Sequence, residues 1–226
     1  MTIRVLLADD QALLRYTFRI LIDSADDLEV VGEASDGAEA VDLAGKLRPD
    51  IVLMDIRMPG TDGLAATTAI CADPDLSAVR ILILTTFETD EYVARALRAG
   101  ASGFLGKDVT ADALLDGIRT ISTGDSLLSP TATKLLVGRF LGTPEPTSDE
   151  DLPDQINSLT AREREMTILA ARGMSNTEIA DSLVLSPLTV RTHIQRAMHK
   201  LHARDRAQLV VTAYQSGLVH PGPSRN

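Results

Sequence analysis

At 226 residues the chain is long for one compact domain and comfortable for two, and its 44% hydrophobic content is aliphatic, with no Trp, four Phe and three Tyr. The longest apolar runs, such as Ile51–Met54 and Ile81–Leu84, are far too short for a membrane span, and Met1–Val5 lacks the basic start and long apolar stretch of a signal peptide. The single cysteine, Cys71, excludes an internal disulfide or a cysteine metal cluster, so the expectation is a cytoplasmic protein. The net charge of −10 is uneven: residues 1–155 carry 13 Lys/Arg against 27 Asp/Glu, whereas residues 156–226 carry nine against five and hold all four histidines. Nucleic acid is therefore a candidate partner for the C-terminal part only.

The first 125 residues alternate short apolar runs with amphipathic segments. Strands are predicted at Ile3–Ala8, Leu28–Gly32, Ile51–Met54, Val79–Leu84 and Gly103–Leu105, and helices near 11–22, 37–47, 62–72, 90–98 and 110–122. Runs apolar on both faces fit strands buried between helix layers, and five βα units in succession predict a doubly wound α/β fold with a parallel five-stranded sheet. In such sheets ligands sit beyond the carboxyl ends of the strands, so chemistry is expected just after residues 8, 54, 84 and 105. Ser129-Pro130 reads as the start of an extra helix over 130–141. Residues 142–154 follow with three prolines, five acids and no base, the composition of a solvated, extended linker. Beyond it the pattern is purely helical. Thr160…Glu163 and Ser175…Glu178 are capping-box signatures, Gly173 marks a helix end, Ser186-Pro187 opens a helix over about 187–201, and Asp205 opens a last one to about 216. Residues 221–226 read as a disordered tail. The expected division is 1–125, 126–155 as extra helix and linker, and 156–219 as a small all-α four-helix domain.

Three carboxylates fall at predicted strand ends: Asp9 and Asp10 after the first strand and Asp55 after the third, with Thr85 after the fourth and Lys107 after the fifth. A parallel sheet brings all five to one edge. Clustered carboxylates there suit a hard, oxygen-seeking cation such as Mg²⁺. An aspartate so neutralised can attack a phosphoryl group, with the lysine and a hydroxyl stabilising charge on the phosphoryl oxygens. Singly each residue has a plainer role, Asp10 as a helix cap or Lys107 as an exposed lysine; joint placement at successive strand ends is what argues for a site.

Asp9-Asp10, Met54-Asp55-Ile56-Arg57-Met58-Pro59-Gly60, Thr85 and Gly100-Ala-Ser-Gly-Phe-Leu-Gly-Lys107 resemble the response-regulator receiver family, over about residues 1–125. The resemblance implies a flavodoxin-like receiver whose Asp55 accepts phosphate from the phosphohistidine of a sensor kinase. It implies Mg²⁺ held by Asp10, Asp55 and the backbone carbonyl of Arg57, with Asp9 acting partly through water. Phe104 matches the family's aromatic that swings inward when Thr85 moves toward the phosphoryl group. Arg57 and Phe87, two residues beyond Asp55 and Thr85, flank the family's route for hydrolytic water, and Phe87 is expected either to shield the acyl phosphate or to pack on the next helix.

In the helix over 187–201, Val190, Ile194, Ala197 or Met198, and Leu201 recur at helical spacing and are expected to face the core. Arg191, Thr192, Gln195 and His199 form a second stripe and Thr189, His193, Arg196 and Lys200 a third, a polar and cationic surface that suits a DNA major groove. Leu159-Thr-Ala-Arg-Glu163, Arg172-Gly-Met-Ser-Asn-Thr-Glu-Ile-Ala, Leu185-Ser-Pro-Leu-Thr-Val-Arg-Thr-His193 and Asp205–Val210 resemble the LuxR-type helix-turn-helix domain over about 156–219. Together with the receiver the chain is similar to the NarL/FixJ class of regulators. The resemblance implies base contacts from Arg191, Thr192 and Gln195, phosphate contacts from Thr189, His193, Arg196 and Lys200, and no assigned contact for Leu188. It also implies a homodimer through the last helix, whose Leu209, Val210, Ala213 and Tyr214 are open to either dimer or core roles.

Competing motifs fail on inspection. Gly100 to Gly106-Lys107 has five intervening residues where a phosphate-binding loop has four, and Asp108 stands where Ser or Thr is needed. The histidines lack partners at metal spacing. Asp55-Ile56-Arg57 lacks the second aspartate of a haloacid-dehalogenase phosphatase. A metabolite phosphatase would leave residues 156–219 unexplained, and a DNA-binding protein gated by a ligand would leave the five strand-end residues unexplained. The expected function is transcriptional regulation gated by phosphorylation of Asp55, with no enzymatic role beyond slow self-dephosphorylation.

Overall fold

The computed structural model describes residues 2–86, 90–124 and 156–219. The expected helix over 130–141, the linker over 142–154, Phe87 and the tail over 221–226 lie outside the described residues. The chain divides into two compact units, Met1–Leu127 and Leu128–Asn226.

The first unit holds β1 (Ile3–Ala8), α1 (Ala12–Asp23), β2 (Leu28–Ala34), α2 (Gly37–Leu47), β3 (Ile51–Met54), α3 (Gly63–Ala72), β4 (Arg80–Thr85), α4 (Asp90–Arg98), β5 (Gly103–Gly106) and α5 (Ala111–Ser122). A short 3-10 turn, Pro74–Leu76, which the sequence reading missed, precedes β4. All strand pairs are parallel and the order is β2-β1-β3-β4-β5, so the predicted doubly wound sheet is the observed one. Because successive strand residues point to opposite faces, each short apolar run feeds two cores. Leu6, Val52, Met54, Ile81 and Ile83 pack with Ala40, Ala44, Leu64, Ala66 and Ile70 of α2 and α3. Val5, Leu7, Ile51, Leu53, Leu82 and Leu84 pack with Phe18 and Ile22 of α1 and Leu114, Ile118 and Ile121 of α5. β2 runs two residues further than predicted, to Ala34, after a register shift opposite Val5/Leu6. The extension places Glu33 where Arg15 and Arg19 of α1 pair with it, at 3.3 and 2.7 Å.

In the second unit the described helices are α6 (Ala161–Ala171), α7 (Asn176–Leu183), α8 (Pro187–Lys200) and α9 (Arg206–Gln215). Both capping boxes are closed reciprocally: Thr160 with Glu163, and Ser175 with Glu178. Ser186 caps α8 with Pro187 in its first turn, and Asp205 caps α9 by accepting from the Gln208 N–H. Gly173 turns the chain after α6 at φ 87°, a conformation glycine adopts without steric cost. Val184 makes the corresponding turn after α7 at φ 55° although it is β-branched and 92% exposed. Val190, Ile194, Ala197 and Leu201 are buried, as their spacing predicts, against Met166, Ala170, Ile179, Ala180 and Leu209. Leu209, Val210, Ala213 and Tyr214 of α9 are all buried too, the last donating its hydroxyl to the Ala171 carbonyl at 3.0 Å. Among the described residues no helix is long and apolar enough to cross a membrane.

Candidate functional site

The sheet ladder continues one residue past the strands, and that continuation builds the site. The Asp9 N–H donates to the Ala34 carbonyl at 3.1 Å, the Asp55 N–H to the Ala8 carbonyl at 2.8 Å, and the Lys107 N–H to the Thr85 carbonyl at 2.8 Å. Asp9, Asp55, Thr85 and Lys107 are thereby fixed side by side at the carboxyl edge. Lys107 Nζ lies 2.6 Å from Asp9 Oδ2 and 3.0 Å from Asp55 Oδ2, with all three side chains at most 7% exposed. Carboxylate oxygens of Asp9, Asp10 and Asp55 lie within 4.8 Å of one another, and Asp10 is the exposed member. Thr85 is buried at the end of β4, and Phe104, half-buried on β5, packs against the α2–α3 core. An open cleft of about 530 Å³ beside Lys107 is lined by Gln11, Leu14, Thr85, Thr86, Gly106, Lys107 and Asp108.

Electrostatics follow from this packing. Burial pushes the Asp55 carboxyl above its ordinary value; the Lys107 hydrogen bond opposes that rise and the charge on Asp9 adds to it. Burial pulls the Lys107 ammonium down, but its bonds to Asp9 and Asp55 outweigh this and hold it above its ordinary value. One cation thus faces two buried anions with a third nearby. That donor set is all oxygen, carries excess negative charge and opens to solvent at Asp10, and it fits a hard divalent cation.

Several supporting residues carried no sequence signal strong enough to single out. Gln11 N–H donates to Asp9 Oδ1 at 2.9 Å, and the Arg15 guanidinium donates to the Asp9 carbonyl. Gly63 N–H closes the loop after Asp55 on the Ile56 carbonyl at 2.9 Å. A Cβ at Gly63 would stand 1.9 Å from the Asp55 carbonyl oxygen, so only glycine fits there. A glycine just after an Asp helix cap was the one available clue. Arg57, whose carbonyl the family pattern assigns to the metal, extends its side chain to α4: Nη2 is 3.2 Å from the Tyr92 hydroxyl, and the guanidinium lies 5.6 Å from the ring centre.

On α8, Gln195, Arg196 and His199 are exposed, whereas Thr189, Arg191, Thr192, His193 and Lys200 are half-buried. Thr192 donates its hydroxyl to the Leu188 carbonyl at 2.9 Å, leaving its methyl group and oxygen lone pairs for other partners. His193 Nδ1 is buried without a partner among the described residues. Lys200 is engaged within the unit, with Nζ 2.7 Å from Glu163 Oε2 and 3.0 Å from the Ser158 carbonyl. A DNA phosphate would have to draw it away from both.

A five-stranded parallel sheet with a carboxylate–lysine cluster at its edge, followed by a helix-turn-helix unit, defines the class of receiver proteins that carry a DNA-binding domain. Residues 5–119 match the response regulator receiver domain, and residues 157–213 match the bacterial regulatory proteins of the luxR family. The chain belongs to the response regulators with a LuxR-type DNA-binding domain, transcriptional regulators of two-component systems. It is 39% identical to the transcriptional regulatory protein LiaR of Bacillus subtilis, over 96% of this chain and 100% of that one. It is 36% identical to the response regulator protein VraR of Staphylococcus aureus, over 97% and 100%. Among solved structures it is similar to a LuxR-family two-component response regulator from Aurantimonas sp., with a TM-score of 0.56 and 34% identity over 62% of this chain and 99% of that one.

Proposed function

We propose that Asp55 is the phosphoacceptor and that its phosphorylation controls dimerisation and DNA binding by this regulator. The observation that carries the reading is the Lys107 ammonium held between the buried carboxylates of Asp9 and Asp55. In this reading residues 1–125 are the receiver, 126–155 connect, and 156–219 read DNA. Asp10, Asp55 and the Arg57 carbonyl, with Asp9 partly through water, would hold a Mg²⁺ ion, which would supply charge neutralisation for an incoming phosphoryl group. A carboxylate oxygen of Asp55 forms the new P–O bond as the P–N bond of the kinase phosphohistidine breaks. Lys107 leaves its contact with Asp55 to pair with a phosphoryl oxygen, and the Thr85 hydroxyl hydrogen-bonds another. Movement of Thr85 frees space into which Phe104 turns, which carries the change to the receiver surface. Slow hydrolysis of the acyl phosphate resets the switch. All of this takes place in the cytoplasm.

The DNA-facing assignments follow the family's contacts: Arg191, Thr192 and Gln195 toward bases, and Thr189, His193, Arg196 and Lys200 toward phosphates. With the apolar side chains of α9 buried, its half-buried Gln208 and Thr212 and exposed Gln215 form the stripe assigned to a partner subunit. Incubation of the full chain with Mg²⁺ and acetyl phosphate tests the central chemistry. Mass spectrometry is expected to show one added phosphoryl group, labile to hydroxylamine and missing from Asp55→Ala; a phosphoryl group that persists in that variant would move the acceptor elsewhere.

A further inference from the structure

We infer that Leu188 is a base-reading residue that packs against the C5-methyl group of a thymine in the major groove. The inference rests on the DNA-binding reading of α8 and assigns that surface an apolar contact. Among the described residues of the second unit, the large hydrophobic side chains left exposed are Val184 and Leu188, at 92% and 72%. The other large aliphatic residues of α8, Val190 and Ile194, are at most 2% exposed, with Met198 half-buried. Leu188 therefore contributes nothing to the core, and its exposure falls on the helix that meets DNA.

Its place on that helix is specific. Ser186 is the N-cap and Pro187 the first helical residue, so Leu188 stands in the first turn of α8, the end from which recognition helices reach base edges. Helical spacing puts it on one stripe with Thr192 and Gln195, and Thr192 is bonded to its carbonyl. An isobutyl group gains nothing from a phosphate or from the polar edges of guanine, adenine or cytosine. The one apolar feature that a base presents in the major groove is the thymine methyl group. The phosphate-facing Thr189 and Arg196 hold the helix in the groove and bring this apolar group against the base edge.

The test uses the full chain with Mg²⁺ and beryllofluoride, a mimic of the aspartyl phosphate. A binding duplex is first selected from a random-sequence pool. Each thymine is then exchanged singly for deoxyuridine, which lacks only the C5-methyl group, and affinities are compared at one fixed salt concentration for the wild type and Leu188→Ala. The wild type is expected to lose about fourfold at one thymine in each half-site, the worth of one methyl group taken out of water. Leu188→Ala is expected to bind the thymine duplex correspondingly less well and to be indifferent to that exchange, with an unchanged melting temperature because the side chain is exposed. Uracil sensitivity that is the same in both proteins at every position overturns the inference while the DNA reading stands. A wild-type protein that enriches no sequence removes the DNA reading and the inference together.

Discussion

Gly63 shows how tightly the site is built at the scale of single residues. Its missing side chain lets the start of α3 lie against the Asp55 carbonyl, and a methyl group there would sit 1.9 Å from that oxygen. Gly63→Ala is expected to cost about 1–3 kcal/mol of receiver stability, the usual penalty of overpacking, and to slow phosphorylation by displacing the Asp55 loop. Thermal denaturation and phosphoryl incorporation check the two effects. Asp10, the exposed acid of the cluster, gives a second prediction. Mg²⁺ at a hundred times its dissociation constant is expected to stabilise the folded receiver by about 2.7 kcal/mol, and Asp10→Asn to remove most of the resulting rise in melting temperature. An equal rise in both proteins would place the ion elsewhere. The positions of Asp9, Asp55, Thr85 and Lys107 were legible in the sequence because each follows an apolar run, and run ends map directly onto sheet edges. Gln11, Arg15, Gly63 and Tyr92 were not, because their roles depend on which loops approach one another, and no periodicity records that.

Helix signals at the scale of elements were the most readable part of the chain, since caps are local: Thr160, Ser175, Ser186 and Asp205 each bond the N–H three residues on, as their spacing predicts. What local spacing could not show is that Glu163 also serves α8. Its carboxylate accepts from the Thr160 N–H at 2.8 Å and from Lys200 Nζ at 2.7 Å. Burial raises the Glu163 carboxyl, but Lys200 and the Thr160 bonds outweigh burial and hold it below the ordinary glutamate value of 4.5. Glu163→Gln is expected to destabilise the helix-turn-helix unit by about 2 kcal/mol near neutral pH. Because the native state depresses this acid, its contribution is complete above pH 4.5 and fades as the pH falls through the lower native value. The gap in stability between wild type and variant should therefore close on acidification below that point. A gap independent of pH would assign the effect to packing. Val184, exposed and left-handed in the turn before α8, carries backbone strain that Asn tolerates better. Val184→Asn is expected to raise the stability of this unit by about 0.5–1 kcal/mol, measured by urea denaturation.

Across the whole molecule residues 1–155 are acidic and residues 156–226 are basic, and in the proposed reading the phosphorylation state of Asp55 couples the receiver to the DNA-binding domain. The family assignment fixes the class of partners, a phosphodonor kinase and DNA. The residues proposed to carry that coupling lie at one sheet edge, where Lys107 joins Asp9 and Asp55. The most direct test is binding of the full chain to genomic DNA fragments at fixed salt, with and without Mg²⁺ and beryllofluoride, for the wild type and Asp55→Ala. Tighter binding is expected for the wild type when both are present, with no change for the variant. Equal binding under all conditions would contradict gating through Asp55 and leave a DNA-binding protein controlled by some other signal.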